Sequence, residues 1–241
     1  MIDFLKHLLF VPKCLHCGEV LAGGEEVLCA KCRLEWDKLL RVPCKTCGRA
    51  QKDCRCLPPR LWGEGLLGVH LFLFDDALSR KLIYAVKHRL GKDLCRFLAK
   101  PLARSVREAA GDLSKFTVTF APRKPKSIRE FGFDQAALLA EALAAELSLP
   151  MTALFCHARR SDLQKNLDSE ERAKNAEKSY SLLKNACAET QGLIIVDDVM
   201  TTGSTLSRLA TLAREAGYEE IIVVTLAKTP TKKEKSCQKE A

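Results

Sequence analysis

The sequence predicts an α/β fold, a parallel sheet flanked by helices and preceded by a small four-cysteine module. Three observations carry that reading. Strand-like and helix-like segments alternate from residue 69 to residue 226, the order that builds a parallel sheet covered on both faces. Eight of the twelve cysteines fall between positions 14 and 56. Between the two parts lies Leu57 to Gly65, where Pro58, Pro59, Gly63 and Gly65 mark a linker. At roughly 100 to 200 residues per domain, 241 residues hold one α/β domain and a small module. The expected division is 1–60 for the cysteine-rich module, 61–230 for the α/β domain and 231–241 for a basic polar tail. A hydrophobic content of 47% with 29% charged residues lets a core form and excludes a fibre or a disordered chain.

Taken in order, Met1 to Phe10 reads as a short amphipathic helix. Asp3, Lys6 and His7 break its apolar run, and no small-residue cleavage site follows before Cys14, unlike a secretion signal. No stretch reaches the roughly 18 apolar residues of a membrane helix, so no membrane insertion is expected and the chain is placed in the cytoplasm. In that reducing compartment the clustered cysteines should bind metal instead of pairing as disulfides. Val69 to Phe74 reads as a strand. Ala77 to about Ala109 is one long helix or two, with Leu78, Leu82, Ala85 and Val86 at helical spacing. Phe116 to Phe120 is a strand, Phe133 to Leu147 an amphipathic helix, and Met151 to Phe155 a candidate strand. Ser161 to Lys178 is polar enough for a mobile loop with a helical turn. Leu193 to Val196 is a buried strand, Ser204 to Ala216 a helix ended by Gly217, and Ile221 to Leu226 a further strand.

The cysteine spacings are Cys14-x2-Cys17, Cys29-x2-Cys32, Cys44-x2-Cys47 and Cys54-x-Cys56. Two CxxC pairs a dozen or so residues apart bring four thiolates to a tetrahedral zinc ion. Gly18 and Gly48 follow the second cysteine of their pairs and allow a turn of positive φ. So short a segment buries too little apolar surface to fold unaided, which makes metal the source of its stability. The simplest pairing puts Cys14, Cys17, Cys29 and Cys32 on one Zn2+ and Cys44, Cys47, Cys54 and Cys56 on another. Cys54-x-Cys56 is tighter than usual, leaving weak occupancy, a different ligand and interleaved pairing open. Closed four-cysteine sites leave no open coordination position, so a structural or partner-binding role is expected. Cys95, Cys156, Cys187 and Cys237 lack such spacing and read as incidental thiols.

The segment from Leu193 to Thr205 carries the chemistry. Four apolar residues make a buried strand, Asp197 and Asp198 end it, and Thr201, Thr202, Gly203, Ser204 and Thr205 open a helix. Backbone N–H groups at a helix start, with the helix dipole, form a phosphate site. Hydroxyls add hydrogen bonds, and glycine allows close backbone approach. The two carboxylates can accept from vicinal sugar hydroxyls or hold Mg2+ through water. A helix cap with a solvated acidic turn accounts for one carboxylate and one hydroxyl only.

This segment resembles the phosphoribosyl diphosphate signature of the type I phosphoribosyltransferases. The resemblance implies that Asp197 and Asp198 contact the ribose hydroxyls, that Thr201 to Thr205 hold the 5′-phosphate, and that Mg2+ neutralises the diphosphate. The Thr201-Thr202-Gly203 form is similar to orotate-type members, and Thr201 stands where 6-oxopurine salvage enzymes carry an aspartate. With its cysteine module the chain resembles the ComF family over about residues 9 to 228. Lys87-His-Arg-Leu-Gly-Lys-Asp93, Arg129-Glu-Phe-Gly-Phe-Asp-Gln135 and the spaced Gln164, Arg172 and Asn175 carry that likeness. Lys87, Arg129, Gln164, Arg172 and Asn175 are thereby candidates for diphosphate contact or for a hood over the ligand. Family members usually have a basic residue at 131 and Asn at 134; this chain has Phe131 and Asp134.

The resulting expectation is a cytoplasmic ComF-type protein with a type I phosphoribosyltransferase-like domain and a zinc ribbon. It would bind phosphoribosyl diphosphate with Mg2+ and act in uptake or use of foreign DNA beside DNA-processing proteins or single-stranded DNA. The alternative is an active phosphoribosyltransferase on an unidentified nitrogen base, and a third reading is a nucleic-acid binder. The net charge of +9 decides little. Its excess runs +4, +4, −2 and +3 over 1–60, 61–150, 151–220 and 221–241, which suits phosphate-bearing partners without naming one. Trp36, Trp62 and Phe72 show no interleaving with basic clusters, so base stacking has little support.

Overall fold

A strand as apolar as Leu193 to Val196 must be shielded on both faces, and that need sets the layout. The computed structural model describes residues 11–89, 91–157, 179–184, 186–188 and 190–230. In chain order these contain helix α1 (Ala30–Arg41), strand β1 (Leu67–Leu73), helices α2 (Ala77–His88) and α3 (Lys92–Ala110), and strand β2 (Phe116–Phe120). Helices α4 (Pro125–Phe131) and α5 (Gln135–Leu147) follow, then short strands β3 (Phe155–His157) and β4 (Tyr180–Leu182). Strand β5 (Gly192–Met200), helix α6 (Ser204–Glu215) and strand β6 (Glu220–Lys228) complete the order. The main sheet is parallel throughout in the order β1-β6-β5-β2, and β3 pairs antiparallel with β4. The segment expected as a strand from Met151 makes one parallel bridge, to Val118. Its regular part begins at Phe155, where it leaves the sheet for β4.

Side chains alternate along β5 as the pleat requires. Ile194 and Val196 join an apolar layer with α2, α3 and α5, whereas Leu193 and Ile195 join the layer under α6. Of the two readings of residues 77–109, one long helix or two, the structure has two. Asp76 opens α2 with a capping box, its carboxylate accepting from Ser79 N at 2.6 Å while Ser79 Oγ accepts from Asp76 N at 3.1 Å, and Gly91 precedes α3. Asp134 caps α5, accepting from the N–H groups of Ala136 and Ala137.

Helix α1 lies inside the cysteine module, and the cysteine spacing hid it. Its signal is Cys32, Trp36, Leu39 and Leu40, all buried on one helical face. Trp36 packs edge-on against Phe72 of β1, ring centroids 5.6 Å apart, and tilted against Phe97 of α3 at 5.5 Å. One apolar layer therefore runs from Cys14 through α1 to α5.

A second tie is polar. Gln51, in a short 3₁₀ turn (Gln51–Asp53), and His70 of β1 are both fully buried, and His70 Nε2 donates to Gln51 Oε1 at 3.1 Å. Neither His70 Nδ1 nor Gln51 Nε2 has a hydrogen-bond partner among the described residues. Burial first, then Lys228 and Arg55, pushes the pKa of His70 down to about 3. A folded pKa below the unfolded value of about 6.5 means the unfolded chain binds the extra proton. Stability from a neutral His70 is therefore lost as pH falls through that window. At pH 5 the loss is about 2 kcal/mol. The melting temperature of the wild-type protein should drop more between pH 7 and pH 5 than that of a His70→Asn variant; equal slopes would contradict this account.

Candidate functional site

Adjacent residues on a strand point to opposite faces, so Asp197 and Asp198 inherit different surroundings. Asp198, buried, continues the Ile194 and Val196 face. Gln135 Nε2 of α5 donates to its Oδ2 at 3.1 Å, and Lys87 Nζ of α2 pairs with the same oxygen at 3.5 Å. Asp197 continues the other face. Its Oδ1 accepts from the N–H of Asp198 at 2.8 Å. Burial, then the neighbouring Asp198 carboxylate, raises its pKa to about 8. Across that face stands Tyr180 of β4, whose hydroxyl is held protonated up to about 12 by burial and then by Asp197. One carboxyl thus has a cation and an amide; the other has its pKa raised by burial and by its like-charged neighbour.

The loop that follows β5 makes the second half of the site. A small cavity of about 50 Å3 lies between Asp197, Met200 and Thr201 to Thr205. Thr202 and Ser204 hydroxyls are 2.9 Å apart. The N-cap of α6 is Gly203, which offers no side chain, unlike those of α2 and α5; Ser204 N reaches Thr202 Oγ1 only at 3.4 Å, a long contact that an anion at the helix start could replace. Gly203 is required twice over. Its φ is +82°, and a Cβ there would lie 2.8 Å from Leu61 Cγ. Leu61 is fully buried and belongs to the linker, which is fastened to α6 because Ser207 Oγ donates to Glu64 Oε1 at 2.7 Å and Arg214 donates to the Glu64 carbonyl. The loop expected to bind phosphate therefore rests on the segment expected only to connect.

The two departures from the family pattern acquire local reasons. Asp134, besides capping α5, accepts from Arg123 N through Oδ2 at 2.7 Å. Phe131 packs against Arg123, whose guanidinium carbon lies 4.3 Å from the ring centroid, and against His88 at 4.8 Å. Arg123 also donates to the Lys87 carbonyl at 3.0 Å. This cation is positioned next to the site, whereas Arg129 is exposed on α4 and no hydrogen bond or ion pair joins it to either aspartate. Gln164, Arg172 and Asn175 lie outside the described residues. His157 of β3 anchors the β3–β4 pair: its ring nitrogens lie 3.1 Å from the Ser179 carbonyl and 2.9 Å from that of Pro122. Gln135, Tyr180 and Leu61 escaped the sequence reading. Only Gln135 had a signal, its place in the Arg129–Gln135 motif.

The cysteines gather into two groups, Cys14, Cys17, Cys29 and Cys32, and Cys44, Cys47, Cys54 and Cys56, each with all sulfurs within 4.8 Å of one another. A tetrahedron with metal–sulfur bonds of about 2.3 Å has sulfurs about 3.8 Å apart. Cys17 to Cys29 and Cys47 to Cys54 are both 3.7 Å, so the donor sets fit zinc. The two knuckles repeat one geometry. Gly18 N donates to the Cys14 carbonyl at 2.9 Å and Gly48 N to that of Cys44 at 2.7 Å, with φ of +80° and +72°. Burial opposes ionisation of Cys14 and Cys44, but donated backbone N–H groups bring them down to about 6 and about 7. Cys32 and Cys54 are driven upward, by burial and then by hydrogen bonding among neighbouring cysteines. Each group ionises completely only around a cation.

Comparison with known proteins agrees with this layout. The family profile described as "Phosphoribosyl transferase domain" matches residues 134–240. The chain is 29% identical over 229 residues to competence protein F of Haemophilus influenzae, covering 90% of this chain and 96% of that protein. It is 23% identical over 229 residues to competence protein ComFC of Streptococcus pneumoniae, covering 90% and 100%, and 26% identical over 217 residues to ComFC of Bacillus subtilis, covering 82% of each. The chain is thus ComF-like over nine-tenths of its length and carries a phosphoribosyltransferase-like domain. No helix among the described residues is long and apolar enough to cross a membrane.

Metal analysis should find two zinc ions per chain. Cys14→Ser should lose one and Cys44→Ser the other, each leaving its neighbour's zinc in place. Loss of both ions from either single variant would mean shared or interleaved sites.

Proposed function

We propose that the chain binds phosphoribosyl diphosphate with Mg2+ at the end of β5 and serves a step in the handling of foreign DNA. The observation that carries the ligand reading is Asp197 lining one cavity with the hydroxyl-rich start of α6, with Asp198 next to it at the strand end. Carboxyls on a strand end suit the vicinal hydroxyls of a ribose, and an open helix N-terminus suits its 5′-phosphate. Asp197, raised toward neutrality, can both donate to and accept from a hydroxyl. Asp198 is oriented by Gln135 and Lys87. Arg123 and Lys87 supply positive charge on the side where a diphosphate would lie, and Tyr180 helps screen Asp197 from water.

Mg2+ prefers oxygen ligands and keeps several waters. Oxygens of Asp198, and of Asp197 once ionised, would be the protein's candidates to hold it, and the ligand's own phosphate oxygens would supply the rest. Bound there, it would neutralise diphosphate charge and favour its departure. The role in competence rests on the likeness to competence proteins F and ComFC, which match this chain nearly end to end.

Calorimetry with phosphoribosyl diphosphate should give binding that requires Mg2+ and weakens by at least about 100-fold in an Asp197→Ala, Asp198→Ala double variant, since hydrogen bonds to charged groups contribute about 1.5–3 kcal/mol each. Undiminished binding by that variant, or binding indifferent to Mg2+, would remove the reading. Diphosphate released in the presence of a nitrogen base would make the chain a transferase as well as a binder.

A further inference from the structure

A groove of about 890 Å3 lies between the first cysteine knuckle and α2, outside the site described above. Lys13 enters it from the knuckle, and Arg80, Lys81, Lys87 and Arg89 enter from α2 and its end. No carboxylate lines it among the described residues. Two of these cations are braced by backbone. Lys81 Nζ donates to the His16 carbonyl at 2.5 Å, and Arg80 donates to the Asp75 carbonyl at 3.1 Å. Lys87 faces the groove and also pairs with Asp198, so the groove and the strand-end site meet at one side chain.

Tyr84 stands among these cations with 59% of its surface exposed. Its ring is 4.5 Å from that of His88, which meets Phe131 at 4.8 Å, and Phe131 meets Arg123 at 4.3 Å. Tyr84 is thereby backed by His88, tilted at 39°, which Phe131 meets edge-on, and it stays open to solvent. An exposed aromatic ring in a groove lined by five lysines and arginines and by apolar side chains matches a ligand with both a π-face and phosphates.

We propose that this groove is a nucleotide site, in which a nucleobase stacks on Tyr84 and the phosphates meet Lys13, Arg89 and Lys87. A free nucleotide fits better than a nucleic-acid strand. Strand binders array aromatic platforms so that successive bases stack, and here, among the described residues, Tyr84 with the adjoining His88 forms one platform. The volume also falls within the range of about 300–1,000 Å3 typical of small-molecule sites. The proposal rests on the groove and shares Lys87 alone with the proposed phosphoribosyl diphosphate site.

The test is calorimetry of the full zinc-loaded chain with ADP, with inorganic diphosphate and with a twelve-nucleotide single strand. ADP should bind more tightly than inorganic diphosphate. Tyr84→Ala should weaken ADP by about tenfold, the usual size of one base–aromatic stack, and Tyr84→Phe should restore it. Arg89→Gln should lower the salt dependence of ADP binding. Tyr84 is exposed, so its loss leaves the core intact. Equal binding of ADP and inorganic diphosphate, an unaffected Tyr84→Ala variant, or a strand that binds while ADP neither binds nor competes would each overturn the proposal. The Asp197→Ala, Asp198→Ala variant separates the two readings, because it should retain ADP binding while losing phosphoribosyl diphosphate.

Discussion

Two successive carboxylates at the end of a buried strand cannot face the same way, and most of the site follows from that constraint. The pleat that sends Ile194 and Val196 into one apolar layer and Leu193 and Ile195 into the other continues one step beyond the core. Asp198 is delivered to α2 and α5, where Lys87 and Gln135 meet it. Asp197 is delivered to the opposite side, near Tyr180 and the loop that opens α6. Two chemically identical side chains thereby acquire different surroundings, and the pKa of Asp197 is raised with no special machinery. Burial and a like-charged neighbour are enough.

Much of this was legible in the sequence, and the reasons differ by element. Strands β1, β2, β5 and β6 show as apolar runs because a doubly covered parallel sheet demands them. The phosphate loop shows because its residue types are constrained by backbone geometry and anion chemistry at the same positions. Helix α1 was obscured because cysteine spacing dominates that segment, although Cys32, Trp36 and Leu39 keep a helical period. Contacts between distant segments left no trace. Nothing local in Leu61 says that it lies under Gly203, and nothing in Tyr180 says that it faces Asp197. Composition is silent on the ring contacts from Tyr84 through His88 to Phe131, which only the packing of α2 against the end of α4 brings together.

The cysteine module is joined to the sheet by unlike means. Trp36 packs between Phe72 and Phe97, a contact tolerant of small shifts in angle. Gln51 and His70 form a buried polar pair with atoms left unpartnered, and such a pair is costly unless its geometry is held. The first contact supplies most of the apolar surface. The second fixes how the knuckle of Cys44 and Cys47 sits on β1.

Leu61 under Gly203 bears on how this protein can be dissected. The linker is wedged beneath the phosphate loop and fastened to α6 through Glu64, so the floor of the loop is supplied from more than 140 residues upstream. A fragment beginning at residue 61 would make that floor from a fraying chain end. Module and α/β domain can be separated on a diagram of the sequence, but scissors placed at the linker would cut away the support of the loop after β5.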